Sequence, residues 1–210
     1  MTVHELSTRI ENITAPKYCG NKIRWNYIRK YLPKSSGGDL LDVGAGNMEY
    51  KSLVESKGYT YTGIDIDPRS PAQRGSITDI PFPNEQFSTV ISVDVLEHIK
   101  NDDKAIKEIF RVLQDGGLLI LHVPNKNQRH ILFEKPVEHK DHVREGYDPF
   151  DIHHLFFNFT NISYYPTFDR LESVAWDLTH AMMNNIPINP NNILDCDGWE
   201  NYGWIIIARK

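Results

Sequence analysis

Leu40-Leu41-Asp42-Val43-Gly44-Ala45-Gly46-Asn47 decides the fold. A short apolar run carrying one acid stops at two glycines separated by an alanine. Such a run, Asp39 to Val43, reads as a strand, and the glycines after it as a sharp turn. Glycines there also let a ligand approach the backbone with no side chain in the way. Ligands of parallel α/β sheets bind at this end of the strands. The usual third glycine of a dinucleotide-binding G-x-G-x-x-G turn is missing. Glu49 stands at that position, and its charge disfavours a pyrophosphate.

Working outward, Met48 to Lys57 predicts a helix closed by Gly58, and Tyr59 to Ile64 a second strand. Asp65 ends that strand about twenty residues after the turn, where an acid can accept hydrogen bonds from both ribose hydroxyls of a nucleoside. A short strand is expected near Gly75 to Ile77 and a buried one over Ser88 to Val93. Asp102 to Leu113 predicts an amphipathic helix closed by Asp115-Gly116-Gly117, and Leu118 to Val123 another buried strand. Upstream, Lys22 to Leu32 reads as a helix ended by Pro33. Downstream, Pro149 to Asn158 and Phe168 to Met183 are expected helices, Asn161 to Tyr165 and Tyr202 to Ala208 strands, and Pro187 to Asp197 irregular. This order argues for a mostly parallel sheet.

Over residues 39 to 123 the chain resembles the class I S-adenosylmethionine-dependent methyltransferases. Five motifs carry the resemblance in order: Asp42-Val43-Gly44-Ala45-Gly46, Asp65, Ile80-Pro81-Phe82-Pro83, Val95-Leu96-Glu97-His98 and Arg111-Val112-Leu113-Gln114-Asp115-Gly116-Gly117. The resemblance implies a Rossmann-like, mostly parallel seven-stranded sheet with helices on both faces and a small C-terminal lid insertion. It implies S-adenosyl-L-methionine as cofactor, held by Asp42, Gly44, Ala45, Gly46, Asp65, Ile66, Ser76, Ile77 and Asp94. Ser76 replaces an acid that binds adenine in many relatives. One domain, 1–210, is expected: a cover helix region over 1–34, a cofactor half over 39–123 and a substrate half over 124–210.

Methyl transfer needs alignment and, for an alcohol, loss of a proton. Candidates for that chemistry are Asp94, His98 and His142, with Glu97, His122 and Asn125 nearby. Asp94, Glu97 and His98 share one face if Val95 to Ile99 is a helical turn. Glu97 and His98 either act on the acceptor or shape the cofactor pocket. The expected site has no metal. The alternative is a divalent cation on Asp94, Glu97, His98 and His142, from a resemblance to the E-x-x-E-H motif of small-RNA ribose methyltransferases and of quinone-pathway O-methyltransferases.

The expected acceptor is a small molecule methylated on oxygen or nitrogen. Tyr164 to Phe168 and the following helix resemble lid insertions of methyltransferases found with surface-polysaccharide pathways, which points to a sugar. Tyr164, Tyr165 and Trp176 are then wall residues. Two alternatives stand beside it: an RNA ribose methyltransferase and a non-catalytic cofactor- or partner-binding protein. A basic stretch, Lys17, Lys22, Arg24, Arg29, Lys30 and Lys34, carries interleaved Tyr18, Trp25, Tyr27 and Tyr31. It reads as an RNA contact or as a cover helix with a solvated face. Five histidines between His130 and His154 line a pocket or sit on a polar loop.

The formal net charge of −5 argues against nucleic acid. Composition is ordinary for a globular chain, with 40% hydrophobic and 24% charged residues. Cys19 and Cys196 stand far apart, outside any metal or disulfide spacing. No apolar run approaches ~18 residues, and residues 1–13 lack the apolar core of a signal peptide. A cytoplasmic location is expected.

Overall fold

A computed structural model describes residues 19–127, 141–184 and 201–210. Lys17, Tyr18, His130, His139, Cys196 and the 187–197 segment lie outside the described residues. Seven strands form one sheet in the order β3-β2-β1-β4-β5-β7-β6. They are β1 (Asp39–Val43), β2 (Thr60–Asp65), β3 (Gln73–Arg74), β4 (Phe87–Val93), β5 (Leu113–Pro124), β6 (Thr160–Thr167) and β7 (Gly203–Arg209). The first five pair in parallel; β7 runs antiparallel to both β5 and β6. The helices are α1 (Cys19–Tyr31), α2 (Lys51–Ser56), α3 (Asp102–Val112), α4 (Pro149–Leu155) and α5 (Arg170–Asn184), with a 3-10 turn at Leu96–His98.

Strand alternation builds two cores. Leu41, Val90, Leu119, Leu121 and Ile206 face one side, where Ile106 and Ile109 of α3 and Ile152 of α4 cover them. Leu40, Ile91, Leu118, Ile120 and Ile205 face the other, under Ile28 of α1 and Leu53 and Val54 of α2. Each such side chain contributes ~1.5–3 kcal/mol on full burial, which is why the strands read as unbroken apolar runs.

Two distant motifs meet at Arg111. Its guanidinium donates to the carbonyls of Ile80 at 2.9 Å and Phe82 at 2.8 Å, and it pairs with Glu108. Glu108 in turn accepts the Ile80 amide at 2.9 Å. The helix therefore pins the Ile80–Pro83 loop, which supplies Ile80 to the core. Asn101 caps α3 by accepting the Lys104 amide at 3.0 Å.

Several boundaries differ from expectation. The short third strand lies at Gln73–Arg74 rather than Gly75–Ile77, because Ser76 is turned into a local loop, its hydroxyl accepting the Thr78 amide at 3.2 Å. The helix after the glycine turn begins only at Lys51, since Met48 takes φ +59 and interrupts helical geometry. β5 begins at Leu113, which already pairs with Phe87.

Candidate functional site

The glycine turn stands at the carboxyl end of β1. Gly44 has φ +77, and a Cβ on it would lie 2.3 Å from Val95 Cγ2. It is forced by backbone and neighbour alike. Gly46 has φ +49 but faces open space. Its amide donates to Asp65 Oδ2 at 2.7 Å, and the Asp67 amide donates to Asp65 Oδ1 at 2.8 Å. The acid ending β2 thus holds the turn's backbone while staying partly exposed.

The other expected cofactor residues fall in different settings. Ile66 is 69% exposed directly beside Asp65, a large apolar side chain left uncovered. Ala45 is buried and donates its amide to the Ile64 carbonyl at 3.0 Å. Ile77 is buried in the core, so only its backbone is left for a ligand. Ser76 Oγ lies 2.9 Å from Thr78 Oγ1. Asp42 is buried and accepts the Tyr61 hydroxyl at 2.7 Å. Burial pushes its carboxyl up to about 7 against the help of that hydroxyl.

Asp94 ends the strand run of β4 with φ +54, and its amide donates to the His122 carbonyl at 3.1 Å. One carboxylate oxygen lies 2.6 Å from His122 Nδ1; the other pairs with Arg24 Nε of α1. Burial opposes the charge, but Arg24 and His122 outweigh it and hold the carboxyl at about 2. His122 is buried and burial lowers its pKa, so it is neutral. Its Nδ1–H donates to Asp94, and Nε2 accepts the Thr167 hydroxyl at 3.0 Å.

Asp94, Glu97, His98 and His142 line one cavity of about 260 Å³, closed by Arg24, Phe168 and Trp176. Within it Glu97, His98 and His142 offer ligand atoms all within 4.8 Å of one another. The rings of His98 and His142 meet edge to face at 4.7 Å. His98 Nδ1 donates to the Asp141 carbonyl at 2.9 Å, which leaves Nε2 with its lone pair. Glu97 is 1% exposed, and its Oε2 has no hydrogen-bond partner among the described residues. Burial, then the nearby Asp94 charge, push its carboxyl up to about 8. These three residues fit a divalent cation. Of the four residues in the alternative metal set, Asp94 stands outside this group, engaged by Arg24 and His122.

His142 reaches this place on a braced loop. The Val143 amide donates to the Glu97 carbonyl at 2.9 Å, and the Tyr147 hydroxyl to the Leu96 carbonyl at 3.1 Å. Arg144 pairs with Asp102 at 2.6 Å.

The expected walls are corrected in part. Trp176 lines the cavity. Tyr164 and Tyr165 do not: they lie exposed on the edge strand β6, Tyr165 stacked on Tyr31 at 5.1 Å. His153 and His154 are exposed on α4. Arg24 turns inward, whereas Arg29, Lys30 and Lys34 of the basic stretch are exposed. Its spacing could have revealed it, since Arg24 stands one turn before the buried Ile28 of α1, and Leu32 just past the helix continues the step. Phe168 and Tyr202 complete the cavity, and nothing in their local sequence marks them.

The sheet order, the glycine turn and the acid after β2 define the class I methyltransferase fold. Residues 21–177 match the family described as methyltransferase domain, and the chain belongs to it. It is similar to the human protein named probable tRNA methyltransferase 9B, 31% identical over 134 residues, covering 58% of this chain and 30% of that protein. It is also similar to a demethylmenaquinone methyltransferase of Tropheryma whipplei, 31% identical over 105 residues and 44% of each chain. The chain spans less than half the length of these curated relatives. A solved S-adenosylmethionine-dependent methyltransferase from Archaeoglobus fulgidus shares the fold, with TM-score 0.63, 14% identity and full coverage of both chains. No described helix is long and apolar enough to cross a membrane.

Proposed function

We propose that this chain transfers the methyl group of S-adenosyl-L-methionine to an oxygen or nitrogen of a small-molecule acceptor. The observation that carries the proposal is the contact between Gly44 and Val95. It sets an open glycine turn against the segment that bears Asp94, Glu97 and His98. Asp65 would accept the ribose hydroxyls, Ile66 would cover the adenine, and Gly46 leaves room for the amino-acid end. In this reading the chain is one domain, with the described residues 19–34 as cover, 39–123 holding the cofactor and the described residues after 123 on the acceptor side.

The cofactor supplies an electrophilic sulfonium methyl. The acceptor lone pair attacks that carbon, the carbon–sulfur bond breaks, and its electron pair stays on sulfur. The protein's task is to align the acceptor, exclude water and take the proton that an alcohol or ammonium must lose. In this reading His98 Nε2 or His142 would receive that proton. A divalent cation on Glu97, His98 and His142 would lower the pKa of an acceptor hydroxyl instead; the unpartnered Glu97 oxygen favours it.

Incubation with methyl-labelled cofactor and a panel of hydroxylated and amine-bearing small molecules tests the proposal. Label should pass to at least one of them and not to bulk transfer RNA. Transfer to RNA alone would favour the second reading, RNA methylation, which rests on exposed Arg29, Lys30 and Lys34 and on the relative named for tRNA.

A further inference from the structure

A second cavity, of about 560 Å³, adjoins the first. The two share Phe168 and are otherwise lined in part by residues close in the chain. Arg24, Pro124 and Tyr202 face the inner cavity; Tyr27, Asn125 and Asn201 face the outer. Its size is that of a small-molecule site.

The outer cavity differs in chemistry. Rings of Tyr27, Phe168 and Trp204 and the prolines Pro149 and Pro166 line it. Most of its polar groups are already engaged by the protein, and the exposed Asn127 adds a side-chain amide. Asn125 Nδ2 donates to the Asn201 carbonyl at 2.9 Å, and Asn201 Nδ2 to the Gly203 carbonyl. The Tyr27 hydroxyl donates to Glu172 at 3.3 Å, and the Trp204 indole N–H to the Tyr147 carbonyl at 3.1 Å. Asp169 Oδ1 accepts the Glu172 amide at 2.9 Å. What these residues leave to a ligand is mainly the faces and edges of rings. The inner cavity, in contrast, holds Arg24, Asp94, Glu97, His98 and His142.

We infer that the acceptor is amphiphilic: its polar reacting group enters the inner cavity, and a flat apolar ring system carried by the same molecule fills the outer one. A polyhydroxylated sugar fits the outer cavity poorly, because its hydroxyls would lose water and find most of their partners already engaged. An aromatic ring loses nothing of that kind and gains ring contacts with Tyr27 and Trp204. The inference rests on the proposed methyl transfer and names the substrate class for it.

The test titrates protein saturated with S-adenosylhomocysteine with 2-naphthol and, separately, with methyl α-glucoside. Binding is followed by calorimetry and by magnetisation transfer between ligand protons and the Trp204 ring. 2-Naphthol should bind and contact Trp204; the glucoside should not bind. Tyr27→Ala and Trp204→Leu should each weaken naphthol binding about tenfold while S-adenosylhomocysteine still binds, which reports a folded protein. Glucoside binding in the outer cavity, or naphthol binding without contact to Trp204, overturns the inference. So does retained S-adenosylhomocysteine binding with no naphthol binding. Failure of S-adenosylhomocysteine itself to bind would instead overturn the methyl-transfer proposal beneath it.

Discussion

Arg24 of the first helix and Asp94 at the end of β4 form an ion pair that joins the N-terminal cover to the edge of the candidate site. Both side chains are largely buried, and Arg24 also lies over the rings of Phe168 at 5.2 Å and Trp176 at 5.8 Å. The pair sets the charge of Asp94 and closes one wall of the inner cavity in a single contact.

Arg24→Ala should destabilise the fold by about 1.5–3 kcal/mol, the range for hydrogen bonds to charged groups. It should also raise the Asp94 pKa from about 2 toward the ordinary carboxylate range, since the Arg24 charge is a principal cause lowering it. Urea unfolding and carboxylate titration by NMR measure the two effects. An unchanged urea midpoint would remove the pair from the stability of the cover helix.

Gly44→Ala and Gly46→Ala should separate structure from binding. At Gly44 the new Cβ meets Val95 at 2.3 Å with φ +77, so the variant should be strongly destabilised. At Gly46 the Cβ meets nothing within 4 Å, so only the left-handed backbone, ~1–2 kcal/mol, opposes it. The Gly46→Ala protein should fold and yet bind cofactor at least tenfold more weakly. Normal cofactor affinity in a folded Gly46→Ala protein would move the ligand elsewhere.

Stability should depend on pH through Asp42. Its folded-state carboxyl titrates at about 7, whereas in the unfolded chain it ionises near ~4. The unfolded state therefore releases its proton first, and this residue's contribution to stability falls as pH rises from ~4 through 7. Asp42→Asn keeps an acceptor for the Tyr61 hydroxyl and should flatten that fall. Urea midpoints at pH 5 and pH 8 measure it; an equal fall in parent and variant contradicts the assignment.

Chelation decides how an acceptor proton is lost. With Glu97 Oε2 unpartnered beside two imidazoles, turnover should drop after exhaustive chelation and return with magnesium or manganese. Glu97→Gln should abolish that recovery. Full turnover in chelator would leave the proton to His98 or His142 alone.

The glycine turn and the acid after β2 were legible in the sequence because their physics is local. Gly44 and Gly46 flank a single residue, Ala45, and Asp65 ends a strand whose length fixes its place. The acceptor side was not. Asp94 shares its spacing with Glu97 and His98, but a left-handed residue and a 3-10 turn part them, and no spacing rule foresees that. Thr167, Phe168 and Tyr202 reach the site only because β7 returns antiparallel beside β5 and β6 pairs antiparallel with β7. The sugar expectation drew on the Tyr164–Phe168 segment, whose two tyrosines face outward on an edge strand.

The central claim is that S-adenosyl-L-methionine binds at the Gly44–Gly46 turn with its ribose on Asp65. A crystal structure of the protein with S-adenosylhomocysteine tests this most directly. The account predicts ligand density over Gly44 and Gly46, both ribose hydroxyls within hydrogen-bond distance of the Asp65 carboxylate, and the sulfur facing the cavity of Asp94, Glu97, His98 and His142. Density for the ligand away from this turn, or a turn left empty at saturating ligand, would contradict it.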